Sequence, residues 1–347
     1  MYIKKILLAI VFIGLAVAAY FAYYVYDTMF SPNTKFNNDS AYIYIKSTDT
    51  YNDVRKQLEP LLLDIDKFDA LAEQKKYVNN IKGGRYVINK GMSNNDIINS
   101  IRSNNIPVKV SFNNQETIAK LAGRIASQIE ADSISLIKAM EDKVFLSENS
   151  FKEETALGMY IPNSYEFFWN TSAEKFTNRM LKEYNRFWSD ARLEKAKAIG
   201  LSDSEVIALA SIVQKETAKV DERPRVAGVY VNRLKKRMPL QADPTVIYAL
   251  KKKTGDFSQT IKRVLYKDLE IDSPYNTYKY AGLPPGLIAM PDVSSIDAVL
   301  NYEKHSYYYF VVNVENFGYH KFAKTLSQHN RNKQEYIRWI NNKGIRR

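Results

Sequence analysis

The sequence of 347 residues contains no cysteine and only three histidines, His305, His320 and His329. Without cysteine there is no disulfide, no thiolate metal site and no cysteine nucleophile. So few histidines make a histidine-rich zinc site or a Ser-His-Asp triad hard to assemble, although neither is strictly excluded. We therefore expect no metal and no cofactor. Carboxylates remain as candidate catalytic groups.

Long uncharged hydrophobic runs are also scarce, and the clearest one covers residues 6–26, behind Lys4 and Lys5. These 21 residues can span the hydrocarbon layer as a helix, and the two lysines predict a cytoplasmic N-terminus. The alternative is a signal peptide cleaved near Ala16–Ala18, but the apolar run continues to Tyr26, which favours a retained anchor. We expect a single-pass protein of the cell (inner) membrane with its remaining chain on the extracytoplasmic, periplasmic side.

The formal net charge is +12, and residues 1–30 contribute only Lys4, Lys5 and Asp27, so the exported part carries +11. Because this part of the chain is expected to lie outside the cytoplasm, we do not expect nucleic acid as a partner. The remaining partners for a basic surface are anionic envelope polymers and lipid head groups. A basic surface without any partner is the alternative.

The pattern along the chain predicts an α+β fold in five segments. They are an anchor (1–30), a polar linker (31–40), a small α+β subdomain (41–112), a mainly helical region (113–200) and a mixed α+β domain (201–347).

The small subdomain has the order strand, helix, helix, strand. Tyr42 and Tyr44 alternate as in a strand, Thr50–Leu63 has helical spacing, Arg85–Ile88 predicts a second strand, and Ser93 begins a capped helix. The size and order are similar to a LysM glycan-binding module. A packing domain without a ligand is the alternative.

Glu216 is the first candidate for chemistry. It follows Leu209 by seven residues, Ile212 by four and Val213 by three, so it projects from the apolar face of a helix that begins behind Ser202. Burial and the negative end of the helix dipole should both help Glu216 to keep its proton, as a general acid requires. The alternative is an ordinary ion pair with Lys215, Lys219 or Arg233.

Two later segments contain polar groups near rigid turns. Gln241 and Asp243 stand just before Pro244, which predicts Asp243 as an N-cap. The loop at 273–291, rich in proline and glycine, contains Asn276 and Tyr278, and a loop of this length is expected to shape a cleft. Residues 307–313 and 319–323 predict a hairpin with a turn at Gly318.

Four motifs in a fixed order connect these segments: SIVQKETA, VNRLKKRMPLQADPTVIYAL, SPYNTYKYAGLPPG and YHKFAKTLSQHN. In that order, behind an N-terminal anchor, they resemble the MltG-type (YceG-like) endolytic murein transglycosylases. The resemblance covers about residues 40–335 and is densest over 205–330. Gln214 stands where family members often have glutamate, and Leu287 replaces a proline.

The resemblance implies a membrane-anchored enzyme with a LysM-like subdomain, which cuts the MurNAc–GlcNAc β-1,4 bond inside peptidoglycan glycan strands. The products end in 1,6-anhydro-MurNAc, nascent strand elongation is terminated, and peptidoglycan synthases are candidate partners. Glu216, as the carboxylate of the first motif, takes the place of the catalytic acid. The substrate-binding positions that we carry over are Gln241, Asp243, Asn276, Tyr278 and His320. For His320, a structural role as a hydrogen-bonded histidine is the alternative.

Two other functions stay open from the residues alone. A muramidase-type hydrolase would use Asp243 as a second carboxylate beside Glu216, and its products would end in reducing sugars. A non-enzymatic, membrane-tethered glycan-binding scaffold would use the LysM-like subdomain and the basic surface without cutting strands.

Overall fold

The computed structural model describes residues 2–342 and confirms the α+β class. The α-helices are α1 (Tyr2–Phe30), α2 (Tyr51–Leu58), α3 (Ile65–Gln74), α4 (Asn94–Ser103), α5 (Ile118–Ala126), α6 (Ser133–Met140), α7 (Lys143–Glu148), α8 (Glu153–Ala156), α9 (Ala173–Phe187), α10 (Asp190–Ile199), α11 (Asp203–Glu216), α12 (Arg223–Lys235), α13 (Asp243–Thr254), α14 (Val293–Leu300) and α15 (Leu326–Asn342). The strands are β1 (Ser40–Ile45), β2 (Gly84–Asn89), β3 (Pro107–Phe112), β4 (Asn163–Phe168), β5 (Tyr309–Val312) and β6 (His320–Ala323). They pair as three two-stranded sheets, β1 with β2, β3 with β4 and β5 with β6.

The chain forms two compact units. The first contains residues 2–110, Gln128–Ala131 and Tyr165–Ser172, and the second contains Ser111–Ser127, Asp132–Ser164 and residues 173–342. Since two units are a coarser division than the five segments expected from the sequence, those five boundaries stay a prediction.

The first unit has the predicted order strand, helix, helix, strand, with β1 and β2 antiparallel and α2 and α3 between them in the chain. Its core contains Ile45, Phe68 and Tyr86, all at most 1% exposed. The predicted cap of α4 is confirmed, because the Ser93 hydroxyl accepts from the Asp96 backbone N–H and the Asp96 carboxylate accepts from the Ser93 N–H. The local signals of this unit thus indicated β1, α2, β2 and α4, whereas no helix was located at the position of α3.

Helix α1 is the one described helix that is long and apolar enough to cross a membrane, with a mean hydropathy of 2.5 in its most apolar window and none of that window buried. Its last turn, in contrast, is fixed to the first unit. Lys67 forms an ion pair with Asp27 at 2.6 Å, and the Asn94 amide donates to the Thr28 carbonyl at 2.8 Å.

The segment after α1 is packed, whereas its composition predicts a spacer. Asn33 is buried, and its amide nitrogen donates to the Asp64 carbonyl at 2.7 Å and to Asn94 Oδ1 at 2.6 Å. A buried asparagine with these partners holds the segment against the first unit, because leaving its amide unpaired would be unfavourable.

Helix α11 forms the centre of the second unit and packs against α10, α12, α13 and α14. The predicted capping box at its start is confirmed, with Ser202 and Glu205 bonded to each other's backbone N–H groups. All residues from Val206 to Val213 are buried, so the helix is enclosed on every side over this stretch rather than on one face. Its polar end therefore begins only at Gln214.

The loop at 273–291 is packed into the second unit. Leu287, Ile288 and Met290 are buried, and the Ile288 N–H donates to Ser211 Oγ of α11 at 3.1 Å. Gly286 is required by close approach, because a Cβ at this position would lie 2.0 Å from the Glu154 carbonyl oxygen. These contacts fix the loop that carries Tyr278.

The predicted hairpin is confirmed, with β5 and β6 antiparallel and Gly318 at a φ of 88° in the turn. Helix α15 packs on both strands of the hairpin.

Candidate active site

Glu216 is the last residue of α11 and lines an open cleft of about 350 Å³. The other residues that line the cleft are Tyr230, Arg233, Leu240, Gln241, Asp243, Tyr278, Phe310, His329 and Lys333. Of the site residues predicted from the sequence, Glu216, Gln241, Asp243 and Tyr278 thus meet in one place. They come from two helix ends and two loops that are distant in sequence.

The carboxyl of Glu216 is held by Tyr230 of α12, whose hydroxyl donates to Oε1 at 2.8 Å. Burial raises the pKa of Glu216 to about 7, the Tyr230 hydrogen bond works against that rise, and the charge of Asp243 adds to it. Burial also raises the pKa of Tyr230 far above its usual range, so the tyrosine keeps its proton and stays a donor. Because Oε1 accepts from Tyr230, the proton of Glu216 belongs on Oε2.

Asp243 does not cap α13, which corrects the sequence prediction. Ala242 occupies the N-cap position, Asp243 is the first helical residue, and no side chain caps this end. The Asp243 carboxylate instead accepts a hydrogen bond of 2.5 Å from the hydroxyl of Tyr278. Asp243 lies one residue too late to cap the helix, and its partner Tyr278 is 35 residues away in sequence.

Gln241 lies at the cleft with a φ of 50°, the left-handed region that residues other than glycine rarely adopt. Its N–H donates to the Thr277 carbonyl at 3.0 Å. The buried guanidinium of Arg233 donates to the Leu240 carbonyl at 2.8 Å and to the Pro239 carbonyl at 3.2 Å, and its contact with Gln241 Oε1 is 3.5 Å. Arg233 and Thr277 therefore hold this strained turn in place.

Asn276 does not face the cleft, so its expected contact with substrate is not supported by its position. It is fully buried, and its amide nitrogen donates to the carbonyls of Leu269 at 2.8 Å and Ile271 at 2.9 Å. Its Oδ1 accepts from the N–H of Tyr278 at 3.0 Å. Asn276 therefore positions Tyr278 by organising the loop from inside.

His320 is the first residue of β6 and is not one of the residues that line the cleft. Its Nδ1 is 2.8 Å from Glu222 Oε2, and its backbone N–H donates to Glu222 Oε1 at 2.6 Å. Burial alone would raise the pKa of Glu222, but the bonds from His320 and from Thr217 lower it below its usual range. His320 thus ties the hairpin to the turn between α11 and α12, directly after Glu216.

Sequence reasoning missed the roles of several cleft residues: Tyr230, Arg233, Phe310, His329 and Lys333. For Tyr230 one signal existed, since a tyrosine hydroxyl on an otherwise apolar helix stripe needs a partner when it is buried. His329 stacks on Tyr309 with ring centroids 5.2 Å apart, and burial lowers its pKa. Its Nδ1 is buried without a partner among the described residues.

Gln214, at the position where the resemblance expects glutamate, has a structural role. Its Oε1 accepts from the N–H of Asp292 at 2.5 Å and from the hydroxyl of Ser295 at 3.0 Å, at the start of α14. A side-chain oxygen is sufficient for this contact, so glutamine can replace glutamate without disturbing Glu216. Among residues 2–342 no group of three or more metal-ligating side chains occurs.

A carboxyl with a pKa near 7, held by a tyrosine at the wall of an open cleft, is typical of enzymes that use general acid catalysis. The chain belongs to the YceG-like family, whose model matches residues 43–335.

The chain is 33% identical over 285 residues to a protein of Bacillus subtilis named endolytic murein transglycosylase, covering 77% of this chain and 76% of that protein. It is 28% identical over 301 residues to a protein of the same name from Streptococcus pneumoniae, covering 78% of this chain but 53% of that protein. A crystal structure of a YceG-like protein from Listeria monocytogenes has a TM-score of 0.56 and 29% identity, covering 85% of this chain and 99% of the other.

Proposed function

We propose that this protein is a membrane-anchored lytic transglycosylase that cuts peptidoglycan glycan strands internally at the MurNAc–GlcNAc β-1,4 bond. The observation that carries the proposal is Glu216, a carboxyl with a pKa of about 7 at the wall of the cleft. The names of the Bacillus and Streptococcus relatives support the same substrate and reaction.

In the proposed reaction Glu216 donates its Oε2 proton to the glycosidic oxygen as the bond to MurNAc C1 breaks. The N-acetyl group of MurNAc supports the positive charge at C1. The C6 hydroxyl of the same sugar then forms the new bond to C1, and its proton returns to Glu216. No water is consumed, and an acceptor within the same sugar has the entropic advantage of proximity.

The neighbours of Glu216 assist both halves of this cycle. The Tyr230 hydroxyl donates to Oε1 and therefore stabilises the carboxylate that forms after proton donation. Gln241, Tyr278 and Asp243 line the same cleft with amide, hydroxyl and carboxylate groups, which are suited to the N-acetyl and hydroxyl groups of a sugar. We assign them to substrate positioning.

We infer that α1 is a retained anchor and that both units lie outside the cytoplasm, as Lys4 and Lys5 ahead of the apolar run suggest. The first unit, with its strand, helix, helix, strand order, would bind glycan as a LysM-like module. A reporter fused after residue 347 should be active only in a form that works outside the cytoplasm, and a cytoplasmic signal would overturn this topology.

The test of the catalytic assignment is Glu216→Gln. Glutamine keeps the shape and can still accept from Tyr230, so the variant should fold and bind strands, while cleavage of purified sacculi falls at least about 100-fold. Cleavage within a few-fold of the unsubstituted protein would mean that the acid lies elsewhere.

A second candidate is a muramidase-type hydrolase. It is favoured by one observation, that a second carboxylate, Asp243, lines the same cleft as Glu216. Its 2.5 Å bond from Tyr278 argues that this carboxylate is used to fix the loop rather than to activate water. The two reactions differ in their products, because the hydrolase leaves reducing ends and the transglycosylase leaves 1,6-anhydro ends.

A further inference from the structure

A second cavity of the second unit, of about 510 Å³, lies beside the cleft. Lys215 lines this cavity while its neighbour Glu216 lines the cleft, and Pro244 lines it while its neighbour Asp243 lines the cleft. Successive residues of a helix point about 100° apart. The cavity and the cleft therefore lie on adjacent sides of the junction between the end of α11 and the start of α13.

Three lysines surround one carboxylate in this cavity. Lys215 and Lys251 each donate to Glu116 at 2.9 Å, and Lys120 lies 3.9 Å from it. One negative charge cannot balance three positive ones. Asp256 is a second acid near Lys120, whose charge contributes to its lowered pKa, but the Asp256 carboxylate accepts hydrogen bonds from Ser258 and not from a lysine. With Asp256 counted, the three lysines still exceed the two carboxylates by one charge.

The lysines also retain donors that the protein does not use. An ammonium has three N–H groups. In the described part of the chain Lys215 and Lys251 each bond only to Glu116, and Lys120 bonds to the Phe257 carbonyl at 2.8 Å. Lys251 keeps these free donors although its side chain is only 12% exposed, which favours an anionic ligand at this position.

Apolar side chains line the same cavity beside the lysines. They include Ile247 and Tyr248, which precede Lys251 on α13 by four and three residues and so share its face, together with Phe257, Ile261 and Ile288. The uncharged polar lining residues are Asn114, Gln115, Ser258, Gln259 and Thr260. A ligand that fits this mixed lining carries an anionic group and apolar side chains on the same chain. A short acidic peptide has that chemistry, whereas a phosphate polymer would leave the apolar side chains without a partner.

We propose that this cavity binds the carboxylate-bearing peptide attached to the glycan strand that occupies the cleft. The inference rests on the proposed function and extends it to substrate choice. Strands that still carry their peptides engage both the cleft and the lysine cavity, while strands stripped of peptide engage the cleft alone.

Equilibrium binding of the full chain in the Glu216→Gln background tests the inference, because strands then stay intact. The probes are glycan strands with their peptides and the same strands after an amidase has removed the peptides. The background should bind peptide-bearing strands about tenfold more tightly than stripped ones, an effect of the size that two ion pairs supply. Adding Lys120→Gln and Lys251→Gln should remove this preference and leave binding of stripped strands unchanged.

Lys253→Gln is the matched control, an exposed lysine of the same helix that does not line the cavity, and it should keep the preference. Equal binding of both strands by the background, or a preference that survives in the double variant, would overturn the inference alone. A preference that persists after the peptide carboxyls are amidated would also overturn the inference, because the lysines would then have no carboxylate to bind. Binding of neither strand would instead overturn the proposed function.

Discussion

At the scale of single residues, the environment of Glu216 gives its carboxyl a different pKa from that of its neighbour Glu222. Burial raises the pKa of Glu216 to about 7, whereas Glu222, six residues later, has a lowered pKa because His320 and Thr217 donate to it. Glu216 is therefore suited to donate a proton near neutral pH, whereas Glu222 stays ionised. The turn between α11 and α12 thus contains one reactive and one structural carboxyl.

The raised pKa of Glu216 has a consequence for stability. The pKa of Glu216 is about 7 in the folded chain and 4.5 in the unfolded chain, so between these values the folded chain binds more protons. The free energy of unfolding therefore decreases as the pH rises from 4.5 to about 7, because the buried carboxyl must then ionise. Above that window Glu216→Gln should be more stable than the unsubstituted chain, by at most about 3 kcal/mol because solvent reaches the site. Urea unfolding at about pH 5 and about pH 8 measures the difference.

Glu148→Gln, the same substitution at an exposed glutamate that does not line the cleft, serves at both pH values as the control for the chemical change itself. A Glu216→Gln effect that does not grow between them would contradict the assigned pKa.

Asp243→Asn separates an electrostatic role from a catalytic one. The charge of Asp243 contributes, after burial, to the raised pKa of Glu216, so its removal should shift the alkaline limb of the pH–rate profile to lower pH. Activity should then fall several-fold at neutral pH and recover in part on acidification, since the positioning contact of Asp243 is lost at every pH, and the product should be unchanged. A loss of orders of magnitude at every pH would instead make Asp243 a catalytic carboxylate.

At the scale of elements, the connection between α12 and α13 contains two residues in the left-handed region, Arg237 at φ 54° and Gln241 at φ 50°. Strain of this kind costs about 1 kcal/mol or more per residue. Gln241→Gly should relieve it, leaving the free energy of unfolding unchanged or up to about 1 kcal/mol higher, while turnover falls because the cleft loses an amide.

Arg237→Gly offers the same backbone change at an exposed position that does not line the cleft, and it should leave turnover unchanged. Equal activity losses in the two variants would show that the strained turn acts through the backbone, not through the Gln241 side chain.

At the scale of elements, too, some parts of the site could be predicted and others could not. Glu216 was accessible from the sequence because the capping box at Ser202 and helical spacing are local signals. The N-cap of α13 was misplaced by one residue because Pro244 tolerates either of the first two helical positions, and the competing partner Tyr278 is distant in sequence. Asn276 was assigned to the cleft because an irregular loop has no period that separates inward from outward side chains.

At the scale of the whole molecule, the α+β class followed from the sequence, but the convergence of side chains in the cleft did not. Tyr230 reaches Glu216 only because α12 packs on α11, and His329 and Lys333 reach the cleft from α15. No local pattern encodes these approaches. The resemblance supplied the order of the motifs, while the structure separated residues that line the cleft from those that support it.

The most direct test of the central claim is the chemistry of the new strand ends. Purified protein is incubated with sacculi, the products are reduced with borohydride, and the terminal muramyl residues are analysed by mass spectrometry. If Glu216 acts alone with the C6 hydroxyl as acceptor, each new end is one water lighter than a hydrolytic end and is unchanged by borohydride. Reducible MurNAc as the dominant new terminus would contradict the transglycosylase mechanism and favour the hydrolase.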